Sequence, residues 1–258
     1  MRAIELAAAA SAAEQTCIDW EAASLMALPE AHRIDCRCHL GLDADGRSLS
    51  TAELTEQLER AQVQEALVAP LHHTEGYRQA NPELVAWADA DSRLHAMWRL
   101  DPNGADPRGQ AEEGFAAGAA GLKLHPRAEQ FALDAPGVRA ALEVVDEQGS
   151  FVLIHAGRRI PALGERTIRL ARAFPSTRFV LAHAAISDLS WVVEAAAELP
   201  NIVYDSSWWN PIDLVLRPAN SYIHNGCKCC ALRHRKRRRS QLRLSFPASH
   251  GLIFAHSE

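Results

Sequence analysis

Phe151-Val-Leu-Ile-His-Ala-Gly157 and Phe179-Val-Leu-Ala-His-Ala184 decide the fold of this chain. Each is an apolar, β-branched run too short for a helix and ending on a histidine, with an amphipathic stretch at helical spacing (163–173) between them. That is one β/α unit, and its strands read as continuous apolar runs rather than alternating ones, as in a parallel sheet covered on both faces. Working outward, the same alternation recurs every 25–30 residues or so, the length of a β/α unit. Strands are expected at 33–41, 65–71, 94–101, 120–126, 151–157, 178–185 and 201–206. Helices are expected at 50–62, 79–90, 107–118, 135–148, 163–173 and 188–199; the first opens with Ser50 and Glu53, a capping-box pair.

Seven such units are compatible with a closed (β/α)8 barrel of the TIM type or an open doubly wound sheet. No Gly-x-Gly-x-x-Gly turn follows the first strand, which disfavours a dinucleotide-binding sheet. Polar residues at the C-terminal ends of many strands favour the barrel, whose active face is built from those ends. The expected organisation is therefore a helical N-terminal extension (1–30), an α/β TIM-like barrel (31–215) and an atypical tail (216–258). The barrel is incomplete: only residues 251–256 offer an eighth strand.

Composition divides the chain at the same place. The net charge of −5 splits into −13 for residues 1–215 and +8 for residues 216–258. The tail has no periodicity, three cysteines (Cys227, Cys229, Cys230) and the basic run 233–239. Two readings stay open for it: an out-of-frame translation of a GC-rich gene, or a nucleic-acid contact in which clustered Arg and Lys neutralise phosphates. Its C-x-C-C spacing lacks the loop of a zinc knuckle. No long apolar window suggests a membrane span, and cysteine usage without a disulfide framework fits a reducing cytoplasm. The partners expected are a small-molecule substrate and, as an open option, further copies of the chain.

Strand alternation predicts which side chains meet at the C-terminal mouth. Asp35, Arg37 and His39 share one face of the first strand, with Cys36 and Cys38 opposite. Lys123 and His125 share a face of the fourth, and His155 and His183 end the fifth and sixth on the parity of Leu153 and Leu181. Asp205 ends the seventh. Imidazoles bind divalent metals and titrate near neutrality, so four at one mouth suit metal binding and general-base chemistry. Trp208-Trp209 is expected to cover the barrel edge and His72-His73 to lie on a solvated loop.

Ile34-Asp-Cys-Arg-Cys-His-Leu-Gly41, Gly121-Leu-Lys-Leu-His-Pro126, Val152-Leu-Ile-His-Ala-Gly157 and Phe179-Val-Leu-Ala-His-Ala184, in this order, resemble the amidohydrolase superfamily. The similar branch is the amidohydrolase-related group that includes aminocarboxymuconate semialdehyde decarboxylase. The resemblance covers residues 33 to about 212 and implies a distorted (β/α)8 barrel holding one or two divalent metals, often zinc. Carried over, His39 matches the second histidine of the family's H-x-H and His155 the strand-five ligand, while His183 is the strand-six histidine that ligates a second metal or acts as the catalytic base.

Two positions depart from that pattern. Arg37 stands where the first H-x-H histidine belongs, and a guanidinium cannot ligate a cation. The strand-eight Asp has no counterpart. Arg37, Lys123 and His125 then become the substrate-binding candidates, Arg37 toward an anion. The implied activity is metal-dependent hydrolysis of a small carbonyl or carboxylate substrate. The alternatives are non-oxidative decarboxylation, or an inactive truncated barrel whose basic tail binds nucleic acid. With two ligands lost, little or no turnover is expected.

Overall fold

The computed structural model describes residues 33–42, 46, 48–157, 160–185, 192 and 198–205, with the side chains of 184 and 185 excepted. The helical extension, most of the expected helix at 188–199, Ser206, Trp208-Trp209, the basic cysteine-containing tail and the eighth-strand candidate lie outside the described residues.

Eight strands form one sheet in the order β2-β1-β3-β4-β5-β6-β7-β8. Strands β1 (Ile34–Leu42), β3 (Glu65–Pro70), β4 (Leu94–Arg99), β5 (Gly121–Leu124), β6 (Phe151–Ile154), β7 (Arg178–Leu181) and β8 (Ile202–Tyr204) are the seven expected ones, all parallel to their neighbours. The unexpected β2 (Ser48–Leu49) folds back antiparallel onto the end of β1; two residues carry no period to read. Helices α1 (Thr51–Arg60), α2 (Ala80–Ala90), α3 (Pro107–Ala116), α4 (Pro136–Glu147) and α5 (Leu163–Ala173) fill the crossovers. The Ser50 hydroxyl accepts from the Glu53 amide while the Glu53 carboxylate accepts from the Ser50 amide, so α1 begins with the expected capping box.

Two apolar layers follow from strand alternation. The outer one packs the sheet on its helices: Leu122 and Leu124 of β5, Val152 and Ile154 of β6, and Leu142 and Val145 of α4 are all buried there. The inner one is smaller and fills the barrel: Ile34, Cys36, Leu67, Met97, Phe151, Leu153, Val180 and Val203. Phe151 fits its floor because Gly121, one strand away, has no side chain; a Cβ there would lie 2.6 Å from the Phe151 ring. The fold is thus a TIM-type β/α barrel whose sheet is not closed among the described residues, its order ending on β2 at one side and β8 at the other.

Two details of alternation differ from expectation. Cys36 belongs to the inner layer and Cys38 to the outer, because the β1–β3 register shifts between Asp35 and Cys38 and breaks the parity. Leu181 lies in the outer layer; the inward residues here are Val180 of β7 and Ala182 just after it.

Candidate active site

Register builds the mouth one rung at a time. Arg99, Lys123, Leu153, Val180 and Val203 are successive partners across β4 to β8. Two residues beyond Lys123 and Leu153 come His125 and His155, and the His155 amide still donates to the Leu124 carbonyl at 2.9 Å. Adjacent parallel strands lie about 4.8 Å apart, so the two imidazoles are neighbours. They stack, with centroids 3.8 Å apart and planes 10° from parallel. The His155 Nε2 edge lies over Gly157, where a Cβ would approach it to 2.6 Å.

His183 reaches the same place by another route. Continued β geometry after Leu181 would turn residue 183 outward. Instead residues 182–185 form a 3-10 turn, and His183 takes φ +57°, the left-handed region that non-glycine residues seldom enter. Its ring then meets His155 edge-on, with centroids 4.9 Å apart, and it is buried. The meeting of His155 and His183 stands as expected; the reason, shared parity with Leu181, is corrected.

Charge surrounds the imidazoles. The Arg37 Nε lies 3.5 Å from an Asp205 carboxylate oxygen, so an ion pair spans the gap between the first and last strands. Lys123 is completely buried, and its Nζ has no hydrogen-bond partner among the described residues. Burial above all, then the charges of Arg37 and Arg99, push its pKa well down. Burial and Lys123 likewise lower His39 and His155 and hold His125 down to about 2, so these three are neutral at pH 7. His125 Nδ1 accepts from the Ala128 amide at 3.1 Å, which puts its proton on Nε2 as a donor. Asp35 is raised, chiefly by burial, and accepts from the Arg37 amide at 2.9 Å.

Sequence reading missed a second group beside these. Arg99 donates to Glu129 Oε1 at 2.7 Å, the Tyr77 hydroxyl donates to the same oxygen, and the guanidinium lies 4.7 Å from the Tyr77 ring centroid. Asn81 clamps the Arg99 backbone through bonds of 2.8 and 3.0 Å. An arginine closing the apolar strand Leu94–Arg99 was the available signal; Glu129 and Tyr77 come from loops and left none. His72, expected on a solvated loop, is 3.2 Å from the Tyr77 hydroxyl. A groove of about 870 Å³ lined by Leu40, Ser48, Glu53, His73 and Trp87 lies beside β2, and none of His39, His125, His155 and His183 lines it.

These residues do not fit a divalent metal. Arg37, which by the resemblance takes the place of a ligand, and the buried amine of Lys123 both oppose a further cation. His125 and His155 meet face to face, which does not point their nitrogens at a common centre. Among the described residues, no three His, Cys, Asp or Glu side chains are grouped to hold a metal ion. No helix among them is long and apolar enough to cross a membrane.

Comparison with known proteins agrees with the fold. The chain is similar in structure to an uncharacterised TIM-barrel protein from Bordetella bronchiseptica, at 15% identity and TM-score 0.55, over 68% of this chain and 75% of that one. It is also similar to 2,6-dihydroxybenzoate decarboxylase from Rhizobium, at 12% identity and TM-score 0.55, over 72% and 83%. A third is 5-carboxyvanillate decarboxylase from Sphingomonas paucimobilis, at 13% identity and TM-score 0.54, over 76% and 84%. No curated protein matches by sequence. The family model described as amidohydrolase matches residues 34–237, running from the first strand past the composition break at 216. With that match over most of its length, the chain belongs to the amidohydrolase family.

Proposed function

We propose that the chain is a hydrolase of amidohydrolase type, acting on a small carbonyl or carboxylate substrate at the barrel mouth. The observation that carries this is the contiguous set His125–His155–His183 beside the buried Lys123. In this reading the substrate carbonyl accepts from Lys123 Nζ and His125 Nε2, which oppose the charge that develops on its oxygen as water attacks. His183, at the edge of the cluster, takes the proton from that water. Family members use a divalent metal, zinc by the resemblance, but no step here is assigned to one because the donor set does not fit it.

The test is turnover of small esters, lactones and amides by the full purified chain. Slow hydrolysis above the buffer rate is expected, with kcat reduced about 100-fold or more in His183→Ala and the fold retained. A wild-type rate equal to buffer, or His183→Ala equal to wild type, refutes the proposal.

Non-oxidative decarboxylation is the second reading. It is favoured by Lys123, whose buried amine suits a substrate carboxylate, and two of the structural relatives are named as decarboxylases of aromatic acids. Carbon dioxide release from 2,6-dihydroxybenzoate or 5-carboxyvanillate, with no hydrolysis of the ester panel, would select it.

A further inference from the structure

We infer that Lys123 is the seat of a carboxylate-binding site that works without a divalent metal, the chain's own cations occupying the place the family gives to the ion. The inference rests on the mouth being the working site, as proposed above, and adds the class of ligand and the absence of a metal requirement.

Charge accounting among the described residues carries it. Three cations face this mouth: Arg37, Arg99 and Lys123. Two have a carboxylate of their own. Arg99 is held by Glu129 at 2.7 Å, with both groups almost fully buried, and Arg37 lies 3.5 Å from Asp205. Asp35 turns its carboxylate to the Arg37 amide, and burial disfavours its charged form. Lys123 is left over: 0% exposed, in register between Arg99 and Leu153, its Nζ without a hydrogen bond. A buried amine is costly unless something answers it.

What answers it must be an acceptor with negative charge, small enough to enter among the imidazoles. A second cation is the wrong sign, and a neutral amide leaves the charge unmatched. A carboxylate supplies both oxygens and charge, and charge-assisted hydrogen bonds of this kind are about twice as strong as neutral ones. Burial and the neighbouring arginines push Lys123 toward its neutral form, and an arriving carboxylate supplies the counter-charge that restores the ammonium. Arg37 Nε, 3.5 Å from Asp205 but without a hydrogen bond among the described residues, is a second donor for the same ligand.

The probe is benzoate, with benzamide as its uncharged isostere, titrated calorimetrically into the full chain after EDTA treatment and again after loading with one equivalent of zinc. Lys123→Met and Lys123→Arg are titrated beside it. Expected: benzoate binds in EDTA, zinc changes its Kd by less than twofold, and benzamide does not bind. Lys123→Met weakens benzoate about 10- to 100-fold, and Lys123→Arg recovers part of the loss. Benzoate bound only with zinc overturns the inference while leaving the hydrolase proposal intact. Equal affinity in wild type and Lys123→Met, or no benzoate binding in either condition, also overturns it. Equilibrium dialysis reads the metal directly: stoichiometric, submicromolar zinc lost in His155→Ala overturns the metal-free site whatever the benzoate result. The hydrolase reading fails separately, on the ester panel, by absence of turnover.

Discussion

Replacing Lys123 by methionine should stabilise the protein. The lysine amine is completely buried and has no hydrogen-bond partner among the described residues, while its stem lies in the rung between Arg99 and Leu153. An unsatisfied buried polar group costs about 1–3 kcal/mol. Methionine keeps the length and apolar volume of the stem and removes the amine, so a gain of about that size is expected at pH 7. Each kcal/mol moves Tm by roughly 2–4 °C in a chain of this size.

The pH dependence has a definite sign. A lysine with a lowered folded pKa binds fewer protons folded than unfolded, so its penalty is largest at low pH and fades as pH climbs toward about 10.4, where the unfolded lysine also loses its proton. The gain from Lys123→Met should therefore shrink between pH 7 and pH 10. Urea unfolding of wild type and variant at both values, followed by tryptophan fluorescence, measures it. A loss of stability at pH 7, or a gain that does not change with pH, refutes the reasoning.

Arg37→Met should act in the opposite direction, costing about 2–4 kcal/mol because it removes the guanidinium that faces the 5%-exposed Asp205 side chain; the same urea titration reads it. Gly157→Ala should push the His155 ring off Gly157 and His125 while the barrel stays folded, seen as shifted imidazole resonances, unchanged far-UV circular dichroism and a fall in turnover. His183→Gly should be at least as stable as wild type, by up to about 1 kcal/mol, since glycine accepts φ +57° without strain, yet lose activity like the alanine variant. Stability should fall as pH drops below about 6.5, because His39, His125 and His155 are held neutral in the fold but take up protons when unfolded. Each contributes a slope of up to about 1.4 kcal/mol per pH unit, and urea midpoints flat from pH 7 to 4.5 would contradict it.

Much of the barrel was legible because its signals are local. Apolar runs of strand length and amphipathic stretches of helix length appear as such in any window, and the repeat of the two implies parallel crossovers. Every expected strand from 33 to 206 is present, and the capping box at Ser50 follows from two residues three apart. Alternation correctly placed Lys123 and His125 on one face and His155 beside them, because those strands run in register without interruption. Composition alone marked the change of character near residue 216.

Tertiary structure decided what depends on breaks in that regularity and on partners distant along the chain. The register shift in β1 sends Cys36 and Cys38 to different layers, and the left-handed turn at His183 returns to the mouth a side chain that alternation alone turns away. Neither has a local signature, since a shift is a relation between two strands and the strain at His183 is held by its surroundings. The pairing of Arg37 with Asp205 joins residues at opposite ends of the described barrel, and that of Arg99 with Glu129 and Tyr77 joins a strand to two loops. Which cation keeps no hydrogen-bond partner among the described residues is therefore a property of the assembled mouth. The sequence names a lysine among histidines; only the packing of seven strands leaves the Lys123 amine buried without a hydrogen bond among the described residues.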